Sequence, residues 1–433
     1  MSQDTVSKVR KSTDVYVDVS RLRPLFDEPA PPVDLSRAVL PGHPDDPTRA
    51  LDRMVGKLYL KRLLVLLRDH GNACESPRVR HSVQGLVDGL LRLPHEELIR
   101  VVLRPEVTSW IKTAQRVRDG ERRLSPETLL GYAGTFLMPT LLRPDILEDA
   151  EILAVAADGE LPLASLHRAL RVAAAPNALL TVRVVGASLR VDGGGKRIEL
   201  PLEALSGKGD GRAFPEIRDL PTLPEGPLIT GPQAWHDIAY PESASRPLDL
   251  TAEGLVEFAA AIGSGLSTID RYWPEAATVV RRTAVHLMPV RSQGNSPFNF
   301  TLHEFRGLIM TSGRHTYMAA QTLVHETAHN RFNSILDLYQ VTANADEERY
   351  SPFVEVPRPM VNLFHGVFAF LNDVQMAIRC ADAFGPADGP PIAPYVDDIT
   401  DRLSVGLDTL ERHAQVTEQG AQLLDGFRAA MPR

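Results

Sequence analysis

The sequence predicts an α+β protein, mostly helical, with an N-terminal helical layer, a small antiparallel β region and a long helix bearing paired histidines in the C-terminal half. Three observations lead there. Leucine, valine and alanine recur at helical spacing over most of residues 47–175. β-Branched residues take over between 178 and 200, around the turn Asp192-Gly193-Gly194-Gly195. An apolar stretch from Thr316 to Phe370 surrounds Leu323-Val324-His325-Glu326-Thr327-Ala328-His329-Asn330.

At 433 residues the chain can bury a large core and divides into two or three subdomains. A hydrophobic content of 43% beside 24% charged residues is ordinary for a globular protein. The formal net charge of −8 argues against a nucleic-acid partner, which calls for a basic footprint. Cys74 and Cys380 stand far apart without a Cys-x-x-Cys pair, so both read as reduced thiols rather than a disulfide or a thiolate metal site. Met1 to Val17 is polar and lacks the apolar centre of a secretory signal, and no run approaches the ~18 apolar residues of a membrane helix. A cytoplasmic protein without a membrane partner is expected.

Residues 1–46, rich in Pro, Asp and Ser, read as an irregular segment with little core. From 47 to 175 a helical domain is expected. Leu51, Met54, Val55, Leu58, Leu63, Leu64 and Leu67 mark one helix; Val83, Leu86, Val87, Leu90 and Leu91 mark the next. Another begins near His95 and restarts at Pro105, and the stretches Leu129 to Leu142 and Leu147 to Ala174 continue the helical pattern. Residues 176–250 form the β-rich region, first an antiparallel meander and then a Gly- and Pro-dense traverse that ends beyond Trp235-His236-Asp237. The remaining domain, 251–433, opens with a helix capped by Thr251, with Glu253 at the positive end of its dipole. Two strand-like runs follow, Thr283 to Met288 and Gly307 to Thr311, and the tail from Tyr395 to Ala430 closes the domain as one or two helices.

On a helix, residues four apart project from one face, so His325 and His329 can share a metal ion. Their spacing suits zinc, iron, cobalt or nickel and does not choose among them. Glu326, about 100° further round, is better placed as a base or orienting group than as a third ligand. Two histidines four apart also arise by chance. Here the flanking Ala319, Ala320, Leu323, Val324, Ala328, Phe332, Ile335 and Leu336 bury them, and buried imidazoles need partners. A strand just before the helix is the arrangement of zincin-like sites, where its edge can hold an extended peptide.

Two imidazoles leave a metal short of ligands. Glu347, Glu348, Glu355 and His365 are the downstream candidates, and His365 is favoured because its segment, Asn362 to Phe370, reads as a buried helix. Between them, Pro357-Arg358-Pro359 holds an arginine on a stiff backbone, suited to bidentate pairing with a carboxylate.

Together, Leu-Val-His-Glu-x-x-His, Leu336-Asp337-Leu338, Ser351-Pro352, Pro357-Arg358-Pro359 and Leu363-Phe364-His365-Gly366-Val367-Phe368 resemble the HExxH-motif peptide-modification proteins, 2-oxoglutarate-dependent peptide β-hydroxylases of ribosomal peptide biosynthesis. The likeness covers about 280–375, with a weaker echo at Val102 to Trp110 and in the strands at 178–201. It implies that His325, His329 and His365 bind Fe(II), leaving positions for 2-oxoglutarate and O2, and that the substrate is a precursor peptide hydroxylated at Cβ. It further implies that Arg358 meets the 2-oxoglutarate C5 carboxylate in a pocket beside Tyr350 and Ser351, with Arg314 and Arg349 as reserves. Under that reading Glu326 orients a ligand or water. The motif alone equally fits a zinc endopeptidase in which Glu326 is the general base, or a non-catalytic peptide-binding partner.

Overall fold

Proline opens most helices of the first layer: α1 (Pro47–Ala73), α2 (Pro77–Leu90), α4 (Pro105–Arg118) and α5 (Pro126–Leu141), while α3 (His95–Val102) begins just after Pro94. At the first helical position its missing N–H costs nothing, because that donor has no intrahelical partner. Ser76 and Ser125 complete two of these starts by accepting from the backbone N–H of Val79 and Thr128. The computed structural model describes residues 14–42, 47–147, 150–156, 159–205, 214–220, 222–223, 227–229, 250–291, 299–313, 316–381 and 392–432. It is 59% helix against 17% strand, which makes the protein α+β and mostly helical. Single-turn helices are left unnumbered below.

The helical expectation for 147–174 fails. After the turn Pro144–Leu147 the chain forms β1 (Glu151–Val155), β2 (Glu160–Leu163) and β3 (Arg168–Arg171). Gly159 at φ +78° and His167 at φ +54° reverse the chain between them, and neither conformation belongs to a helix. The Leu/Ala composition misled because β1 is buried along nearly its whole length against α5, so it lacks the polar alternation of a half-exposed strand. Gly134 permits that contact: a Cβ there would lie 1.8 Å from the Leu153 carbonyl oxygen.

β1 heads an antiparallel sheet of order β1-β4-β5-β6, with β4 Leu179–Val185, β5 Ser188–Gly193 and β6 Lys196–Pro201. The expected glycine turn joins β5 to β6 through Gly194 and Gly195, both at positive φ. β3 pairs β2 on one side and β7 (Ile217–Asp219) on the other, both antiparallel. Trp235-His236-Asp237 lies outside the described residues.

α6 (Ala252–Tyr272) starts as expected, the Thr251 hydroxyl accepting from Gly254 N at 3.2 Å, and α7 (Pro274–Thr283) follows. Thr283 therefore closes a helix, and the strand begins only at His286. A mixed sheet of order β10-β11-β9-β8 comes next, comprising β8 (Leu228–Ile229), β9 (His286–Pro289), β10 (Asn299–Phe300) and β11 (Leu308–Thr311). β9 runs parallel to β8 and β11, whereas β10 runs antiparallel to β11 on the outer edge. β11 leads into α8 (Thr316–Leu338), which carries the paired histidines. A hairpin of β12 (Glu348–Ser351) and β13 (Val356–Pro359) then feeds α9 (Met360–Cys380), followed by α10 (Ile392–His413) and α11 (Glu418–Ala430). Among the described residues no helix is long and apolar enough to cross a membrane.

The N-terminal segment is not the coreless leader expected from its composition. Val15, Leu22 and Leu25 join the core of the first helical layer, while Leu35, Ala38 and Val39 sit in the core of α8, α9 and α11. The helices satisfy its irregular backbone: Leu35 N donates to Gln422 at 3.0 Å, Asn372 donates to the Val39 carbonyl at 2.9 Å, and Arg331 donates to that of Ala38. At the far end of α8, Asp337 accepts from Tyr59 at 2.7 Å and faces His303 at 3.1 Å, binding the histidine helix to α1.

Candidate metal centre

α9 is buried deeply enough to act as a fixed wall: Leu363, Phe364, Val367, Phe368, Leu371 and Val374 are all fully enclosed. At about 1.5–3 kcal/mol for each such side chain, packing alone holds α9 against α8. Between these helices the imidazoles of His325 and His329 converge, Nε2 to Nε2, at 3.0 Å. Two nitrogens bound tetrahedrally to one ion at about 2.0–2.1 Å stand roughly 3.3 Å apart, so the pair is within a few tenths of an ångström of a chelating geometry.

Glu326 is 3% exposed, and one of its carboxylate oxygens lies with the two histidine nitrogens in a group whose members are all within 4.8 Å of one another. That is close enough to hold a water or ligand at the ion, the position expected of an orienting group or base. Glu326 Oε2, His329 Nδ1, His325 Nδ1 and Asp373 Oδ1 are buried without a hydrogen-bond partner among the described residues. Each unmade bond costs about 1–3 kcal/mol; of these atoms Glu326 Oε2 is the one grouped with the paired histidines, where a cation and its ligands would complete it.

The charges follow from these contacts. Burial pushes the His325 imidazolium down, but the Asp373 carboxylate, 3.5 Å from Nδ1, together with Glu326 outweighs it, and the net shift is upward. Burial drives His329 well below its ordinary value, helped by His365 and His325. It also lowers His365 to about 4 and raises the Glu326 carboxyl. His329 is thus a neutral donor.

His365 stands beside the pair. Its ring is 4.3 Å from that of His329, centroid to centroid, and lies over Phe332, while its Nε2 faces the His329 carbonyl at 3.4 Å. It does not belong to the compact group of His325, Glu326 and His329. The acidic candidates are engaged elsewhere or exposed: Glu347 pairs with Asn344 and Arg349, Glu355 with Arg402, and Glu348 opens an exposed strand.

Arg358 lies exposed on β13, in register with Arg349, and makes no ion pair or hydrogen bond with any described residue. The enclosed arginine pocket expected from the prolines is therefore absent among the described residues. A two-stranded hairpin has no second layer to bury its outer side chains. Tyr350 is also exposed, Ser351 is buried at the turn end of β12, Arg349 is held by Glu347, and Arg314 lies outside the described residues. Phe353 at the hairpin turn stacks flat on Phe370 at 4.6 Å, and Phe370 meets the His325 ring edge at 4.8 Å.

Two residues of the site escaped the sequence reading. Asp373 sits two turns beyond His365 on α9, and Tyr395 of α10 donates to its Oδ2 at 2.5 Å. The available signal was a lone carboxylate in the apolar run Leu371-Asn372-Asp373-Val374. Asn330, four residues past Glu326, anchors the helix to the sheet by accepting from Gly307 N at 2.8 Å.

No protein-family model matches this sequence, and no curated protein matches it significantly. The site itself carries the functional argument.

Proposed function

We propose that this chain is an Fe(II)- and 2-oxoglutarate-dependent hydroxylase acting on the Cβ of a residue in a ribosomally made precursor peptide. The observation that supports it is the run of three imidazoles across α8 and α9, with ring centroids 4.6 Å apart for His325 and His329 and 4.3 Å for His329 and His365. With Glu347 and Glu355 paired elsewhere, Glu348 on an exposed strand and Asp373 on the Nδ1 side of His325, an all-histidine set suits a redox metal that keeps positions open for a cosubstrate.

His325 and His329 hold the ion, with His365 as third ligand. When bound, iron supplies oxidative decarboxylation of 2-oxoglutarate coupled to hydroxylation of a C–H bond. The rest belongs to the chain. Glu326 orients a water or ligand through its unpaired Oε2. Phe332 and Phe370 shield the imidazoles from bulk water. Arg358 offers an exposed guanidinium to the far carboxylate of 2-oxoglutarate, with Tyr350 and Ser351 on the same hairpin. A cytoplasmic location belongs to the same reading. The test is anaerobic reconstitution with Fe(II), titration with 2-oxoglutarate, then exposure to O2 with a candidate peptide. Succinate and a peptide heavier by one oxygen atom are expected; an iron-loaded protein that binds no 2-oxoglutarate overturns the proposal.

A zinc endopeptidase is the second reading, favoured by the grouping of Glu326 with both histidines and by the outer edge strand β10. Peptide cleavage that persists without O2 and 2-oxoglutarate, and disappears in Glu326→Gln, decides for it. A folded protein that takes up neither metal would instead be a non-catalytic peptide-binding partner.

A further inference from the structure

We propose that Asp373, braced by Tyr395, is the positioning residue that fixes the His325 imidazole for metal binding. This rests on the metal reading of the site and adds to it the carboxylate that orients one ligand.

His325 Nδ1 faces Asp373 Oδ2 at 3.5 Å, while the opposite nitrogen, Nε2, faces His329. Asp373 therefore lies on the far side of the ring from the ion and acts through the imidazole. A neutral imidazole carries one proton, and only when that proton is on Nδ1 does Nε2 offer its lone pair. Asp373 Oδ2 is the carboxylate oxygen that faces Nδ1, at ion-pair distance, and its charge favours the proton on that nitrogen.

The second observation is the charge balance of Asp373 itself. It is 3% exposed, and no lysine or arginine pairs with it among the described residues. Its polar contacts there are the Tyr395 hydroxyl at 2.5 Å and the imidazole of His325. A buried carboxylate without a cation is costly, so positive charge on or beyond His325 balances this one. Tyr395 comes from a different helix, α10, and holds the carboxylate by the same oxygen that faces the ring. Ring orientation thereby depends on a contact outside the two helices that carry the histidines.

The test uses the full-length protein, Co(II) as probe, competition with a fluorescent chelator and the visible spectrum of the bound ion. Asp373→Asn is expected to weaken Co(II) binding by about ten- to a hundredfold and to change the spectrum. Tyr395→Phe, which leaves the carboxylate in place, should weaken it several-fold, and Asp373→Glu should restore part of the loss. Urea unfolding of the same variants separates this from packing, because a purely structural Asp373 would lower stability and leave the affinity of the folded fraction unchanged. If the wild type binds Co(II) and Asp373→Asn binds it equally well, the inference is overturned while the metal reading stands. If Asp373→Asn does not fold, wild-type affinity and spectrum in Tyr395→Phe overturn it. A wild type that binds no Co(II), Zn(II) or Fe(II) overturns both.

Discussion

His286 on β9 and His325 on α8 each face a buried carboxylate at 3.5 Å, Glu106 in one case and Asp373 in the other. Glu106 has a cation of its own: Arg104 reaches it at 2.6 Å and, with His286, holds its carboxyl low although burial alone would raise it. Burial lowers His286 to about 4, and its strand lies between β8 and β11. Asp373 has no such cation among the described residues, and the ring it faces turns its other nitrogen toward a second imidazole. The first cluster settles its charge locally. The second has no cation of its own among the described residues, and under the proposed reading an ion held between the rings would balance it through His325.

The largest effect should break the symmetry outright. His325→Ala or His329→Ala is expected to abolish stoichiometric metal uptake, while circular dichroism stays close to wild type, since α8 and α9 are held by their apolar faces. His365→Ala should behave alike if it completes the ligand set; full metal content in that variant removes it from the set. Glu106→Gln should do the reverse. Leaving the partly buried Arg104 without its charge partner costs roughly 1–3 kcal/mol of stability, read by urea denaturation, with metal affinity in the folded protein unchanged.

A pH titration sharpens the same contrast. His286 is lowered from 6.5 to about 4, so its neutral burial favours the native state above pH 6.5, and that contribution is lost as pH falls toward 4. At about 1.4 kcal/mol per pH unit the loss is roughly 3 kcal/mol, and it should be missing from His286→Asn. Below this window Asp337 acts with the same sign. Burial would raise it, but His303, Lys112 and Tyr59 hold it at about 2, so its share disappears as pH drops from near 4 to 2. A wild-type urea midpoint that is flat between pH 6.5 and 4 counts against the structural assignment of His286. The smallest effect concerns Arg358. Because it is exposed, Arg358→Ala should weaken 2-oxoglutarate binding by only about tenfold, measured on the anaerobic iron form. No change in that variant, with a loss in Arg349→Ala or Arg314→Ala, would move the role to one of those residues.

The parts of the fold that were legible in the sequence are those set by local chemistry. The Thr251 cap, the Gly194-Gly195 turn and the shared face of His325 and His329 follow from backbone geometry within a few residues. What escaped depends on partners distant in sequence. β1 to β3 look helical until α5 covers them, and Leu35 to Val39 look coreless until α11 arrives. Asp373 is an unremarked acid until α8 and α10 bring it His325 and Tyr395. Arg358 differs in another way: its prolines define a stiff strand, but stiffness does not bury a side chain, and the guanidinium is exposed.

The hydrogen bond from Leu35 to Gln422 spans 387 residues and lies in the same core that supports Arg331 and Asn372 behind the histidines. Its consequence is one of timing. A ribosome delivers residues 35–39 well before α11, so the support behind α8 and α9 closes only after the 387 residues that separate Leu35 from Gln422 have emerged. Contacts of such separation form slowly, and the nascent chain must keep Leu35, Ala38 and Val39 from sticking elsewhere in the interval. Limited proteolysis during refolding should therefore find the α1–α5 layer protected first and the histidine helices last.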